Sequence, residues 1–200
     1  MFTGIVQEVG TVVRLQPAAG VIRLSVSAPK IAPRVERLES VAVNGVCLTV
    51  VQRRHEVLEF EVIAQTRHLT ILSRLRSGQR VNLEPSLTLT DRLGGQLLFG
   101  HVDGTGIVRR RRSQAGGWAL TIQLPQPLRR YLVSKGPVAI DGVSLTVGTI
   151  TPTGCVVHLI PETLRQTTLG TMTQGRSVNI ELDYFAKLLW RWQRVPGAVI

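Results

Sequence analysis

Apolar and polar side chains alternate in short stretches rich in β-branched residues, each broken by turn residues. In the first half these stretches cover residues 4–15, 21–27, 41–51, 57–63 and 80–83; in the second they cover 100–109, 118–124, 138–149, 155–160 and 177–182. Many short strands with regular turns predict an all-β chain of closed antiparallel barrels or sandwiches. Helical spacing is brief and equally placed in the two halves, around 31–38 and 128–133, then 69–75 and 165–169. The tail departs from this. After Asp183, a suitable N-cap, Phe185, Leu188, Leu189 and Trp192 fall on one helical face. Nothing similar follows the first half, so this helix is expected to meet other subunits through its apolar stripe.

The two halves repeat each other. Val43-Asn44-Gly45-Val46-Cys47-Leu48-Thr49-Val50 returns as Ile140-Asp141-Gly142-Val143-Ser144-Leu145-Thr146-Val147, a step of 97 residues from Gly45 to Gly142. Gly4 and Gly10 return as Gly100 and Gly106, Thr66 as Thr163, and Val81-Asn82-Leu83-Glu84 as Val178-Asn179-Ile180-Glu181. Solenoid and propeller units run at roughly 20 to 50 residues, so each copy is expected to be a whole small domain. The junction falls near 88–96, where Asp91-Arg92-Leu93-Gly94-Gly95 carries turn chemistry. The expected division is 1–90, 97–184 and a terminal helix over 185–200.

Strand parity turns Val46, Leu48 and Val50 to one face and Cys47 and Thr49 to the other; Ser144 and Thr146 pair in the same way. One face packs the core, and the other offers small hydrogen-bonding groups at matched places. Asn44-Gly45 and Asp141-Gly142 are turn dipeptides that tolerate positive φ, and a tight bend there brings backbone close to a ligand. A single copy reads equally well as a hairpin with threonine on its wet face. Recurrence favours two related pocket walls.

Composition narrows the classes. No apolar run approaches the roughly 18 residues that cross a bilayer, and Met1-Phe2-Thr3-Gly4 lacks the features of a secretory signal, so a soluble cytoplasmic protein is expected. Cys47 and Cys155 fall at unequal places in the repeat, which predicts two reduced thiols rather than a disulfide or metal pair. The net charge of +11 comes mostly from arginine, and Arg109-Arg110-Arg111-Arg112 is the densest cluster. No aromatic residues interleave with it, and turn residues follow, so a solvated hairpin end is favoured over nucleic-acid binding. Neither nucleic acid nor membrane is expected as a partner. Gly94-Gly95 and the glycines over 100–106 sit in an all-β context, which argues against a nucleotide-binding strand–helix motif.

Met1-Phe2-Thr3-Gly4-Ile5-Val6, the two hairpin motifs, Gly100-His101-Val102-Asp103-Gly104 and Pro161-Glu162-Thr163-Leu164-Arg165 closely resemble, in order and over essentially the whole chain, the riboflavin synthase family. The resemblance implies two tandem homologous six-stranded Greek-key barrels plus a C-terminal helix through which three chains associate. It implies one 6,7-dimethyl-8-ribityllumazine per barrel and a working site where the N-terminal barrel of one subunit faces the C-terminal barrel of its neighbour. The implied reaction passes a four-carbon unit between two lumazines, giving riboflavin and 5-amino-6-(D-ribitylamino)uracil without metal or cofactor. Riboflavin is the implied product ligand, and lumazine synthase a candidate partner.

The resemblance also assigns roles. Cys47 activates the acceptor ring, where the partner copy has Ser144; a thiolate is the better nucleophile. His101, which replaces Ile5 of the first copy, shuttles protons or steers the ring. Asp141, Ser144 and Thr146 bind or polarise the second lumazine, and Lys135 or Asp183 helps proton transfer near the subunit junction. Gly4, Ile5, Val6, Gly100, His101 and Val102 offer edge groups to the pteridine. Ala64, Gln65, Thr66, Ile160, Pro161, Glu162 and Thr163 line the ribityl side, with Ser40, Leu48, Thr49 and Leu145 completing the implied set. Three positions depart from the family: Gln65 where an acid is usual, Gln96 where histidine is common, and Phe99 where a small residue is common. These changes bear on the N-terminal pocket more than on the C-terminal one, and they keep a second class open, a lumazine- or flavin-binding relative without turnover.

Overall fold

A computed structural model describes residues 1–194, and β-structure dominates it. Strands β1 (Glu8–Ala18), β2 (Val21–Ser27), β3 (Ser40–Val43), β4 (Val46–Arg54), β5 (Val57–Ile63) and β6 (Arg80–Pro85) close into a barrel in the order β1-β2-β5-β4-β3-β6. Strands β7 (Gly104–Gln114), β8 (Gly117–Gln123), β9 (Pro137–Ile140), β10 (Val143–Thr151), β11 (Gly154–Leu159) and β12 (Ser177–Leu182) close a second barrel with the same connectivity. Every pairing is antiparallel, and the last strand of each barrel returns to close the circuit beside the first, as in a Greek key. Each barrel is bulged twice at matched places, between Val12 and Arg14 and between Val108 and Arg110, then between Val50 and Gln52 and between Val147 and Thr149. Such bulges bend and twist a strand, which a small barrel needs in order to close.

Burial follows the parity expected from the sequence. Val46, Leu48 and Val50 point into the first core, whereas Cys47 is half-buried and Thr49 exposed on the outer face. The stretches over 41–51 and 138–149 each divide at their Asn-Gly or Asp-Gly turn into two strands. The helices start earlier than expected. Helix α1 (Ala64–Leu69) leads into a 3-10 turn over Ile71–Arg74, and α3 (Pro161–Gln166) into one over Thr168–Thr171. Thr70 and Thr167 cause the break, because each hydroxyl caps the following turn by accepting from Leu72 or Leu169. The segment over 31–38 forms only a 3-10 turn at Ala32–Arg34, with Pro33 in its first turn, and α2 is a single turn at Gln126–Arg129.

Helix α4 (Tyr184–Trp192) is capped by Asp183, whose carboxylate accepts from the Phe185 amide at 3.0 Å. The part of the expected terminal helix over 195–200 lies outside the described residues. Lys187 ties α4 to Asp103 at 2.9 Å, while Phe185, Leu188, Leu189 and Trp192 face outward. Among the described residues no helix is long and apolar enough to cross a membrane. The four arginines lie along β7 in its hairpin with β8, and Arg111 folds back over the Trp118 ring at 4.0 Å and donates to the Gly170 and Met172 carbonyls. Part of the cluster therefore belongs to the barrel wall.

The barrels meet at their β3–β4 and β9–β10 turns. Asn44 and Gly45 have φ of 45° and 78°, and Asp141 and Gly142 46° and 74°. Two successive positive φ values make the hairpin turn that matches strand twist. A Cβ on Gly45 would stand 2.6 Å from the Gly142 nitrogen, and one on Gly142 2.6 Å from the Gly45 nitrogen. Two buried asparagines brace this contact. Asn82 donates to the Asp141 carbonyl at 2.9 Å and accepts from the Thr168 amide at 2.8 Å. Asn179 donates to the Asn44 carbonyl at 2.8 Å and accepts from the Ile71 amide at 2.8 Å. A strand-borne amide thus satisfies the opposite barrel's turn.

Gly45→Ala and Gly20→Ala separate the inter-barrel contact from backbone strain, because Gly20 has φ of 82° with nothing within 4 Å of a Cβ. Urea unfolding is expected to show a cost of about 1 kcal/mol for Gly20→Ala and above about 3 kcal/mol for Gly45→Ala. Burial pushes the Asp141 carboxyl up to about 7, so the folded state holds that proton more tightly than the unfolded chain does. Its contribution to stability is present at low pH and lost as pH rises through about 7. The melting temperature followed from pH 5 to 8 is expected to fall less steeply in Asp141→Asn than in the parent chain.

Candidate functional site

Each half begins with an arm that precedes its first barrel strand, and the arms cross. Ser144 of the second barrel donates its amide to the Gly4 carbonyl at 2.9 Å, and Cys47 of the first donates to the Gly100 carbonyl at 2.9 Å. Val6 packs on the second core and Val102 on the first. Phe2 and Leu98 exchange backbone hydrogen bonds at 2.8 and 3.0 Å, which ties the arms together over a small cluster with Ala42 and Ala139. Buried carboxylates hold the arms by their amides. Glu84 accepts from Thr3 and Gly4 at 2.6 and 2.9 Å, and Glu181 accepts from Phe99 and Gly100 at 2.8 and 3.0 Å. Burial pushes both carboxyls up, against the lowering effect of those amides.

Crossing makes the first site composite. Cys47, Gln65, Thr66, Gly100, His101 and Val102 line one cavity of about 260 Å³, and Val46, Leu69 and Thr70 complete its lining. Its wall comes from β4, its rim from α1 and its other edge from the second arm. A Cβ on Gly100 would stand 2.5 Å from that of Cys47, so the arm presses directly on the thiol-bearing strand. In the second half Ser144 takes the place of Cys47, with Gly4 pressed against it and α3 carrying Glu162 and Thr163 in the places of Gln65 and Thr66.

The two places are unequal. The Ser144 hydroxyl donates to Gln96 Oε1 at 2.9 Å, and Gly95 is pressed against Ser144 and the Thr3 carbonyl, so the inter-barrel linker covers this serine. The thiol opposite faces a cavity. Phe99 stacks on His101 with centroids 6.1 Å apart and meets Tyr184 of α4 at 5.0 Å, so the larger side chain at this position connects the histidine to the terminal helix. The outer carboxylate of Glu162 is held below its usual range by Gln166 and then by Arg165.

The other expected residues spread more widely. Leu48 and Leu145 belong to the barrel cores, while Thr49 and Thr146 stand on the outer faces; Ser40 pairs with Thr49 across the strands. Ile5, Ala64, Ile160 and Pro161 are exposed near the arms and helices. Lys135 is exposed, with φ of 62°, in the turn before β9. Asp183 caps α4, and Asp141 is buried between the barrels; neither lines the Cys47 cavity. Cys155 is buried in the second core, where burial pushes its thiol up to about 11. Sequence reasoning assigned no role to Asn82, Asn179, Glu84 or Glu181. Their signal was visible, as repeated polar residues inside apolar strands, the usual mark of a buried group with a fixed partner.

A lumazine binding domain model matches residues 3–86 and again 99–183. The riboflavin synthase of Mycobacterium tuberculosis is 40% identical over 98% of this chain and 100% of its own length. That of Bacillus subtilis is 35% identical over 96% of this chain and 89% of its own. The chain belongs to the riboflavin synthase family. Among solved structures, LumP complexed with 6,7-dimethyl-8-(1'-D-ribityl) lumazine superposes with a TM-score of 0.83 at 29% identity, covering 92% of this chain and 99% of that one. LumP complexed with riboflavin matches equally well, with a TM-score of 0.83 at 30% identity over 92% of this chain and 100% of that one. Against the usual riboflavin synthase pattern, Gln65 faces the Cys47 cavity, Gln96 holds Ser144 and Phe99 backs His101.

Removing the carboxylate that holds the second arm should loosen the Cys47 cavity. Glu181→Ala is expected to speed alkylation of Cys47 by iodoacetamide at least about ten-fold while the barrels remain folded, read by mass spectrometry beside circular dichroism.

Proposed function

We propose that this chain is a riboflavin synthase. It takes up one 6,7-dimethyl-8-ribityllumazine on each barrel and transfers a four-carbon unit between them, yielding riboflavin and 5-amino-6-(D-ribitylamino)uracil. The crossing of the arms carries the proposal, because it builds two related and unequal places out of one repeat. Two identical molecules become donor and acceptor only when their surroundings differ. Holding them face to face supplies much of the rate, since well-oriented intramolecular reactions gain up to about 7 to 11 kcal/mol. Two lumazines contain all the atoms of both products, so the transfer needs no outside reductant or oxidant.

Cys47 stands where an acceptor ring would lie against the outer face of β4, positioned to add to the ring or to steer a hydroxide. His101 on the opposite edge exchanges protons, and Gln65 and Thr66 hydrogen-bond the ribityl hydroxyls. On the second barrel Ser144, Thr146, Glu162 and Thr163 take the corresponding places, and Asp141 acts as a positioning residue within the turn that leads into the Ser144 strand. The exposed apolar face of α4 joins three copies, bringing the N-terminal barrel of one chain against the C-terminal barrel of the next. Lys135 and Asp183 then lie near that junction. A cytoplasmic location accords with this activity.

Incubating the full chain with the lumazine and following riboflavin absorbance tests the proposal, with turnover expected. The likeness to LumP gives the second class a specific basis, and tight binding without product would assign the chain to it. Cys47→Ala should lower turnover at least about 100-fold and Cys155→Ala less than about five-fold, because only Cys47 lines the cavity. Ending the chain at Asp183 should convert the oligomer to a folded monomer without activity, measured by light scattering and the same assay. A fully active monomer would exclude a site shared between subunits.

A further inference from the structure

A second cavity, of about 270 Å³, opens between the barrels and shares no lining residue with the Cys47 cavity. Both halves contribute to it: Arg80 at the start of β6 from the first, and Asp141, Thr168 and Arg176 from the second. Among the described residues neither Arg80 nor Arg176 takes part in an ion pair. The Thr168 hydroxyl is buried with no hydrogen-bond partner. A buried hydroxyl left open costs free energy unless an acceptor reaches it, and among the described residues the exposed Arg80 and Arg176 side chains at the rim have no carboxylate within ion-pair distance.

The repeat shows that these groups are not needed for the fold. Thr168 stands where the first half has Ile71, and Arg176 where it has Gln79, each one repeat step away. Asp141 likewise corresponds to Asn44, and both make the same bond, accepting from the Asn179 or Asn82 amide at 2.7 Å. A neutral amide therefore suffices to hold the turn. The volume lies just below the range of drug-sized pockets, which limits the ligand to a small one.

We propose that this inter-barrel cavity binds a small oxyanion of the phosphate type, held by the Arg80 and Arg176 guanidiniums and by the Thr168 hydroxyl. Paired guanidiniums match the oxygen geometry of phosphate and sulfate, and two of them outweigh one carboxyl. Arg80 and Arg176 are the charged groups that line the cavity with Asp141. Burial already pushes that carboxyl up to about 7, and a neighbouring anion raises it further. Binding thus draws a proton onto Asp141 and weakens as pH rises.

Isothermal titration of the full chain with sodium sulfate tests this, because sulfate keeps its charge between pH 6 and 8. The parent chain should bind sulfate about ten-fold more weakly at pH 8 than at pH 6, and Asp141→Asn should bind equally at both. The Arg80→Ala/Arg176→Ala variant should lose at least about ten-fold in affinity with an unchanged melting curve, since both side chains are exposed at the cavity rim. Inorganic phosphate and ribose 5-phosphate, compared at pH 6, distinguish the sources. Equal affinities assign the cavity to the free ion, and tighter binding of the ester assigns it to a phosphorylated metabolite. No heat from any of the three anions up to about 10 mM, or affinity unchanged in the double arginine variant, overturns the proposal.

Discussion

Two backbones meet at Gly45 and Gly142 with no room for a side chain between them, and the relation of the two barrels depends on that contact. It requires positive φ on both sides, so each turn must use a two-residue hairpin with Asn or Asp ahead of Gly. Once the turns touch, their carbonyls are shut away from water and must find donors. Asn82 and Asn179 supply them from the opposite barrels, and each also takes an amide from the other barrel's 3-10 turn. Steric closeness and polar satisfaction therefore fix one geometry together. A shift of the barrels would leave several buried groups unpaired at once.

From that geometry follows the exchange of arms. With the turns in contact, the segment before each barrel reaches the outer face of the other, where it adds its carbonyl to the Cys47 or Ser144 amide. Neither place is then the property of one domain. Each depends on both halves, on the buried glutamates that grip the arms, and on the Phe2–Leu98 pairing that joins the arms to each other. The same crossing lets small sequence differences have large effects. Gln96 covers Ser144 from the linker, and Phe99 links His101 to α4, so the two copies diverge although their strands superimpose in order and register.

Three acidic groups show how burial is handled differently along the same wall. Glu84 and Glu181 receive two or more backbone amides each, which offsets part of the desolvation that pushes their carboxyls up. Asp141 receives a hydrogen bond from only the Asn179 amide among the described residues, and feels Arg176 at longer range, so desolvation prevails. The first two fasten structure. The third keeps a proton in exchange near neutral pH beside a cavity lined by arginines.

Much of the fold was legible in local sequence. Alternation gave β2, β5 and β12 their observed limits, because period-two burial registers directly in residue type. Helix starts were misplaced, since Thr70 and Thr167 act through caps that periodicity does not report. For the site, the repeat marked Cys47, Ser144, Thr66 and Gly100 as matched positions, the family resemblance added Gln65 and His101, and parity put Cys47 on the outer face. The sequence by itself determined a duplicated barrel, its inward and outward faces, and a thiol set against a hydroxyl. Only the tertiary structure decided that the arms cross, that Asn82, Asn179, Glu84 and Glu181 are fasteners, and that Asp141 lies between the barrels. The reason is physical: side-chain periodicity is written in neighbours a few residues apart, whereas these contacts join groups far apart in the chain, from Cys47 with Gly100 to Gly4 with Ser144, whose meeting depends on how closed surfaces fit.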